Sequence, residues 1–69
     1  MTDTYNGGEN MVNVGDKVKC IFMDDPFPVP SGTVGIVKFI DSIGQIHVSW
    51  ENGSSLALNP RFDRFEVVK

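Results

Sequence analysis

Gln45-Ile46-His47-Val48-Ser49-Trp50-Glu51-Asn52-Gly53-Ser54-Ser55-Leu56-Ala57-Leu58 is the stretch that decides the fold. Ile46, Val48 and Trp50 alternate with Gln45, His47 and Ser49, the two-residue period of a strand with one buried face. Asn52-Gly53 sits between alternating runs and predicts a type I′ hairpin, with positive φ at both central positions. Ser54 to Leu58 is the expected return strand. Its Leu56 and Leu58 join the inner face set by Ile46, Val48 and Trp50.

Upstream, Thr33 to Ile40 is β-branched and aromatic with apolar side chains on both faces, which in so short a chain implies a strongly curved strand shared between two sides of a barrel. Gly35 inside it predicts a bulge or tight bend. Asp41-Ser42-Ile43-Gly44 is the turn that follows. Further upstream, Val18, Cys20 and Phe22 alternate with Lys17, Lys19 and Ile21, a strand with one wet face entered through the Gly15-Asp16 turn. Between these strands runs Asp24-Asp25-Pro26-Phe27-Pro28-Val29-Pro30-Ser31-Gly32, whose alternate prolines remove backbone donors and favour extended geometry, so it is expected to be an ordered loop. Downstream, Asn59 to Arg64 suits one 3₁₀-like turn, and Phe65 to Val68 a last strand with Phe65 and Val67 on one face.

Five short strands, no helix, one long Pro-rich connection and two tight hairpins predict an all-β, five-stranded SH3-like barrel over residues 12–69, with the 3₁₀ turn before the last strand. Trp50, Phe62 and Phe65 are assigned to its core. Residues 1–11, polar and Gly-rich apart from Tyr5, read as a flexible N-terminal tail. Met11 is read as a candidate second start, since Gly7-Gly8-Glu9 can be encoded by a purine-rich ribosome-binding sequence just upstream of its codon.

The chain has 69 residues, 41% of them hydrophobic, including five Phe, one Trp and one Tyr. That is enough for a core and too little for a second domain. A core this thin yields only about 3–5 kcal/mol, and no deep catalytic cleft is expected. Nine acidic against six basic residues give a net charge of −3, which disfavours a wholly basic nucleic-acid surface. Cys20 has no second cysteine to pair with, in keeping with a reducing compartment. No run approaches the roughly 20 apolar residues of a membrane span, and the N-terminus does not read as a signal peptide. A cytoplasmic protein with no membrane contact is expected.

Gly15-Asp16-Lys17-Val18, Asp25-Pro26, Pro28-Val29-Pro30, Gly32-Thr33 and the unbroken run from Gly44 to Phe65 together resemble a small bacterial family, domain of unknown function 4314. The most specific part is Gly44 to Leu58, and the resemblance covers nearly everything from Val12 to Val68. It implies an origin in Gram-positive bacteria, their phages or other mobile elements, with the host cytoplasm as location if phage-encoded. It brings no activity with it. Phe39 departs from the family, where a smaller or polar residue is expected, and so marks a local contact surface.

His47, the single histidine, falls on the polar face with Gln45 and Ser49, and a catalytic role needs a nucleophile and an orienting carboxylate beside it. Ser49 and Ser55 come close across the hairpin, yet serines on an exposed strand face are ordinary. Structural zinc wants four Cys or His ligands, and this chain has one of each. Asp24-Asp25 supplies only part of a hard-cation shell and reads as a solvated turn. Cys20 reads as buried and inert, since Lys19 points to the opposite face. No cofactor and no metal are expected.

These residues describe a non-enzymatic interaction module, monomeric or weakly dimeric, whose protein partner binds at Pro26, Phe27, Pro28, Val29 and Pro30. Prolines limit the ordering entropy of such a loop and hold Phe27 and Val29 outward as a rigid apolar contact. For Phe27 a competing and stronger expectation is that it folds back and plugs one open end of the barrel. The alternative function is nucleic-acid binding through Lys17, Lys19 and Lys38, against which stands the lack of exposed aromatics for base stacking. A hydrolase built around His47 is a third class, with no substrate indicated.

Overall fold

The computed structural model describes residues 4–7 and 10–68, with the side chains described from residue 12 onward. Among them there is no helix and there are six strands: β1 Thr4–Gly7, β2 Asn10–Asn13, β3 Lys17–Phe22, β4 Val34–Ile40, β5 Ile46–Trp50 and β6 Arg64–Val67. β3 to β6 form one antiparallel sheet in the order β5-β4-β3-β6, and β1 pairs with β2. The chain is a small all-β domain of SH3-like barrel type. Its barrel is open, because β5 and β6 remain the two edges of the sheet.

The stretch read as a flexible tail contains β1, paired with β2 in register from Thr4↔Asn13 to Gly7↔Asn10. Its polar, Gly-rich sequence carries no alternation, so backbone pairing across a short connection is all that marks it as a strand pair. Residues 1–3, 8 and 9 of that stretch lie outside the described residues.

Val18 and Cys20 of β3, Val37 and Ile40 of β4, Ile46, Val48 and Trp50 of β5, and Phe65 of β6 form the core, joined by Val12, Met23, Val29 and Leu58. Two register shifts decide which side chains reach it. In β4 the pairing runs Val37↔Val48 and then Phe39↔His47, leaving Lys38 as an extra residue. Val37 and Ile40 therefore both point inward although three positions apart, which a regular two-residue period forbids. Ile36 and Phe39 stay at the surface. The bulge is thus at Lys38, and of the bulge or tight bend expected at Gly35 no bulge forms there.

Gly35 answers a different need. It pairs with Val18 on one side and Trp50 on the other, and a Cβ there would lie 2.6 Å from the Ser49 carbonyl oxygen and 2.6 Å from Val48 Cγ1. The absent side chain lets β5 cross close over β4.

In β3 the second shift lies between Cys20, opposite Phe65, and Phe22, opposite Arg64. It overturns the inward placement of Phe22, which is 53% exposed, while Met23 turns in to take the core position.

Two hairpin expectations also change. Positive φ occurs at Gly53 (89°) and at no non-glycine residue among those described, so Asn52 excludes a type I′ turn. The Gly53 N–H donates to the Trp50 carbonyl at 3.0 Å and Trp50 N–H to the Ser54 carbonyl at 3.1 Å. This is the three-residue loop with a left-handed glycine at its end. The return strand is only partly realised: Leu58 exchanges backbone hydrogen bonds with Ile46 at 2.8 and 2.9 Å, but Ser54 to Ala57 are not strand. Leu56 turns its N–H to Ser54 Oγ, and its carbonyl accepts the Trp50 indole N–H at 2.9 Å.

Before β6, the Asn59 carbonyl accepts from Phe62 N–H at 3.0 Å and Asp63 N–H at 2.8 Å, a single helical turn. That turn leaves Phe62 57% exposed, which corrects its assignment to the core.

Candidate interaction surface

The Pro-rich loop is pinned on both sides of Phe27. Cys20 N–H donates to the Thr33 carbonyl at 2.8 Å and Gly32 N–H to the Cys20 carbonyl at 2.7 Å, which closes its base. Val29 N–H donates to Met23 Sδ at 3.4 Å, and the Cys20 thiol donates to the Val29 carbonyl at 3.5 Å. Asp25 Oδ1 accepts the Phe27 N–H at 2.8 Å. Between these ties Phe27 is 85% exposed, whereas Val29 is 2% exposed. Val29 is the plug, and Phe27 is not. Pro26, Pro28 and Pro30 are exposed with Phe27, so the outward surface comprises four of the five residues singled out from the sequence and excludes Val29.

Asp63 joins this loop to the turn before β6. Its buried carboxylate accepts Asp24 N–H at 2.8 Å through Oδ1 and Asn59 N–H at 2.7 Å through Oδ2. The clasp sets the start of the loop, just past Phe22, against the Asn59–Asp63 turn, which carries Arg61 and Phe62. The Arg61 guanidinium lies 5.8 Å from the centre of the Phe62 ring, and Arg64 stands directly opposite Phe22. Phe22, Phe62, Arg61 and Arg64 were not singled out from the sequence, because the β3 bulge that turns Phe22 outward leaves no mark in the alternation. A signal for the turn existed: Asn59 at its head accepts the Arg61 N–H through Oδ1 at 3.0 Å, an Asx turn that Asn-Pro favours.

Lys17, Lys19 and Lys38 are the residues that nucleic-acid binding would use. Lys17 is exposed, Lys19 is paired with Glu66 at 3.1 Å, and Lys38 sits at the β4 bulge. There it lines an open cleft of about 460 Å³ with Phe39, His47, Ser49, Trp50, Ser54 and Ser55. In this cleft His47 Nε2 lies 2.9 Å from Asp41 Oδ2, and its ring stacks on Phe39 at 4.0 Å and 11°. Asp41 Oδ1 also accepts backbone N–H groups of Ile43 and Gln45. The His47 hydrogen bond, aided by those amides, holds the Asp41 carboxyl below the usual carboxylate range. His47 therefore ties the β4–β5 turn to β5, and among the described residues no serine is hydrogen-bonded to its ring. Phe39 is the ring against which His47 stacks.

Cys20 is buried. Burial pushes its thiol pKa up, and the Asp63 charge pushes it further, which keeps it protonated and unreactive. Asp25 is engaged with the loop backbone, and among the described residues no three His, Cys, Asp or Glu gather as a metal site would require.

The fold is thus a small open β barrel with a hydrogen-bonded Pro-rich loop from which Phe27 projects into solvent. The sequence profile of Domain of unknown function (DUF4314) matches residues 9–68, and the chain belongs to that family. No curated protein and no solved structure gives a significant match. No helix among the described residues is long and apolar enough to cross a membrane.

Proposed function

We propose that the protein is a non-enzymatic interaction module of a Gram-positive bacterium, phage or mobile element, and that it binds a protein partner through Phe27. The observation that supports this reading is an 85% exposed phenylalanine in a loop held before it by Asp25, which accepts its N–H, and after it by the buried Val29. A large aromatic held in water gains by burial against a partner, and its fixed backbone lowers the ordering cost of binding. Pro26 and Pro28 restrict it further. Pairing of Lys19 with Glu66 and the net charge of −3 support this reading over nucleic acid.

Phe27→Ala tests the proposal. Because the side chain makes little contact with its own domain, the variant should melt within a few degrees of wild type. Immobilised wild-type protein should retain a specific partner from lysate of the producing host, identified by mass spectrometry, and the variant should lose it. Capture that is nuclease-sensitive and indifferent to Phe27 would refute the reading.

A further inference from the structure

We propose that β6 pairs edge to edge with β6 of a second copy of this chain, antiparallel and centred on Phe65, a contact independent of Phe27. The two edges of the sheet differ. Along β5 the chain caps its own edge, since Ile46 exchanges backbone hydrogen bonds with Leu58 and Trp50 N–H donates to the Ser54 carbonyl. β6 has no such cover among the described residues: β2 passes near it without pairing. Which of its groups face outward follows from β3. Cys20 donates its N–H to the Thr33 carbonyl and accepts Gly32 N–H, both on the β4 side, whereas the Lys17 carbonyl accepts Val68 N–H on the β6 side. Lys17 and Lys19 therefore turn their backbone groups to β6, and Val18 and Cys20 turn theirs away from it. Phe65 and Val67, opposite Cys20 and Val18, aim N–H and C=O at the open edge.

The sequence of β6, Arg64-Phe65-Glu66-Val67, is self-complementary about Phe65. A two-fold axis there lets the Phe65 N–H of each copy donate to the Phe65 carbonyl of the other. It also sets Arg64 of each copy directly opposite Glu66 of the other, at the non-hydrogen-bonded positions where the side chains of paired strands lie closest. Arg64 and Glu66 are both exposed and, two residues apart, share the outer face of the sheet. Glu66 already meets Lys19 at 3.1 Å, so the row across the joint reads Lys19, Glu66, then Arg64 of the second copy, one carboxylate between two cations. Neighbouring registers lack this match: centring on Glu66 sets two carboxylates face to face, and centring on Arg64 sets two guanidinium groups. β6 also lacks the proline or lysine that commonly blunts a free edge. Beyond the centre Val67 meets Asp63, whose N–H is given to the Asn59 carbonyl, so the ladder is short and association depends on concentration.

The test is sedimentation equilibrium of the full chain from about 10 µM to about 1 mM at about 0.15 M salt, where the −3 charge of each copy is screened over about 8 Å and contact pairs persist. Wild type should pass from monomer towards dimer across that range. Arg64→Glu and Glu66→Arg should each weaken the dimer about tenfold or more, because each sets like charges opposite one another twice. Mixed in equal amounts, the two variants should associate with each other, and the double variant Arg64→Glu/Glu66→Arg should dimerise by itself. Circular dichroism melts check that all of them remain folded. A wild type that stays monomeric at about 1 mM, a dimer indifferent to both single substitutions, or a mixture that stays monomeric would overturn the proposal. Loss of the dimer in Phe27→Ala would overturn it too, and would assign self-association to the Pro-rich loop.

Discussion

Gly35→Ala puts one methyl group where β4 and β5 cross. An ideal Cβ at this position meets the Ser49 carbonyl oxygen at 2.6 Å, Val48 Cγ1 at 2.6 Å and Trp50 Cα at 3.0 Å. Two of these three atoms are backbone and the third belongs to a buried valine, so no flexible side chain can yield. Restoring an ordinary contact of 3.4 Å moves β5 outward by most of an ångström and takes Val48 and Trp50 out of their core positions. Gly35 has no positive φ, so alanine by itself would stabilise the strand by about 0.5–1 kcal/mol. Overpacking of this kind costs about 1–3 kcal/mol, and the net loss should be roughly 1–2 kcal/mol. For a domain of this size that is a fall in Tm of roughly 4–16 °C. Thermal melts followed by circular dichroism, with urea titrations checking that the slope is unchanged, measure it. A Tm equal to or above wild type would show that β4 and β5 have slack and would refute the close-crossing account.

Trp50→Ala should cost roughly 3–5 kcal/mol and leave the chain unfolded, whereas Trp50→Phe, which loses the indole N–H to Leu56, should cost far less; a well-folded alanine variant would overturn the core assignment. Gly53→Val should destabilise by about 1–3 kcal/mol because it forces a β-branched residue to φ near 89°, and Asn52→Ala, at a position without positive φ, should cost less; equal losses would contradict the turn. Asp41 has a depressed pKa in the folded state. Its contribution is therefore present above the unfolded carboxylate pKa of about 4 and is lost as pH falls through and below that range. Stability of Asp41→Asn should be flatter than wild type below about pH 4, and identical acid profiles would remove Asp41 from the account.

Where the fold was legible, the reason was strict alternation on one face. Ile46, Val48 and Trp50 announced β5 and its buried side, and Val18 and Cys20 did the same for β3. The two bulges break that logic: one extra residue in β4 and one in β3 reverse the facing of everything after them, and no residue type signals where they fall. Phe22 was misplaced for that reason. Phe62 was misplaced because a helical turn has no two-residue period to read. Of the candidate surface, the loop and the exposed prolines were legible because proline restricts backbone by itself. That Phe27 would face out and Val29 in was not, since either ring or valine could have closed the barrel end. Arg61 and Phe62 come against the start of the loop only through the Asp24–Asp63 hydrogen bond, which links residues 39 positions apart.

That separation also orders events in time. The β4–β5 hairpin joins near neighbours in sequence and can form early, but the Asp24–Asp63 clasp, 39 positions apart, and the still longer-range pairing of Val18 with Val67 require more than half of the chain to be closed into a loop. The face that carries Phe22 opposite Arg64 is then among the last parts to assemble. The proposed contact surface therefore waits on docking of β6, and refolding should restore the β4–β5 hairpin before it restores that surface.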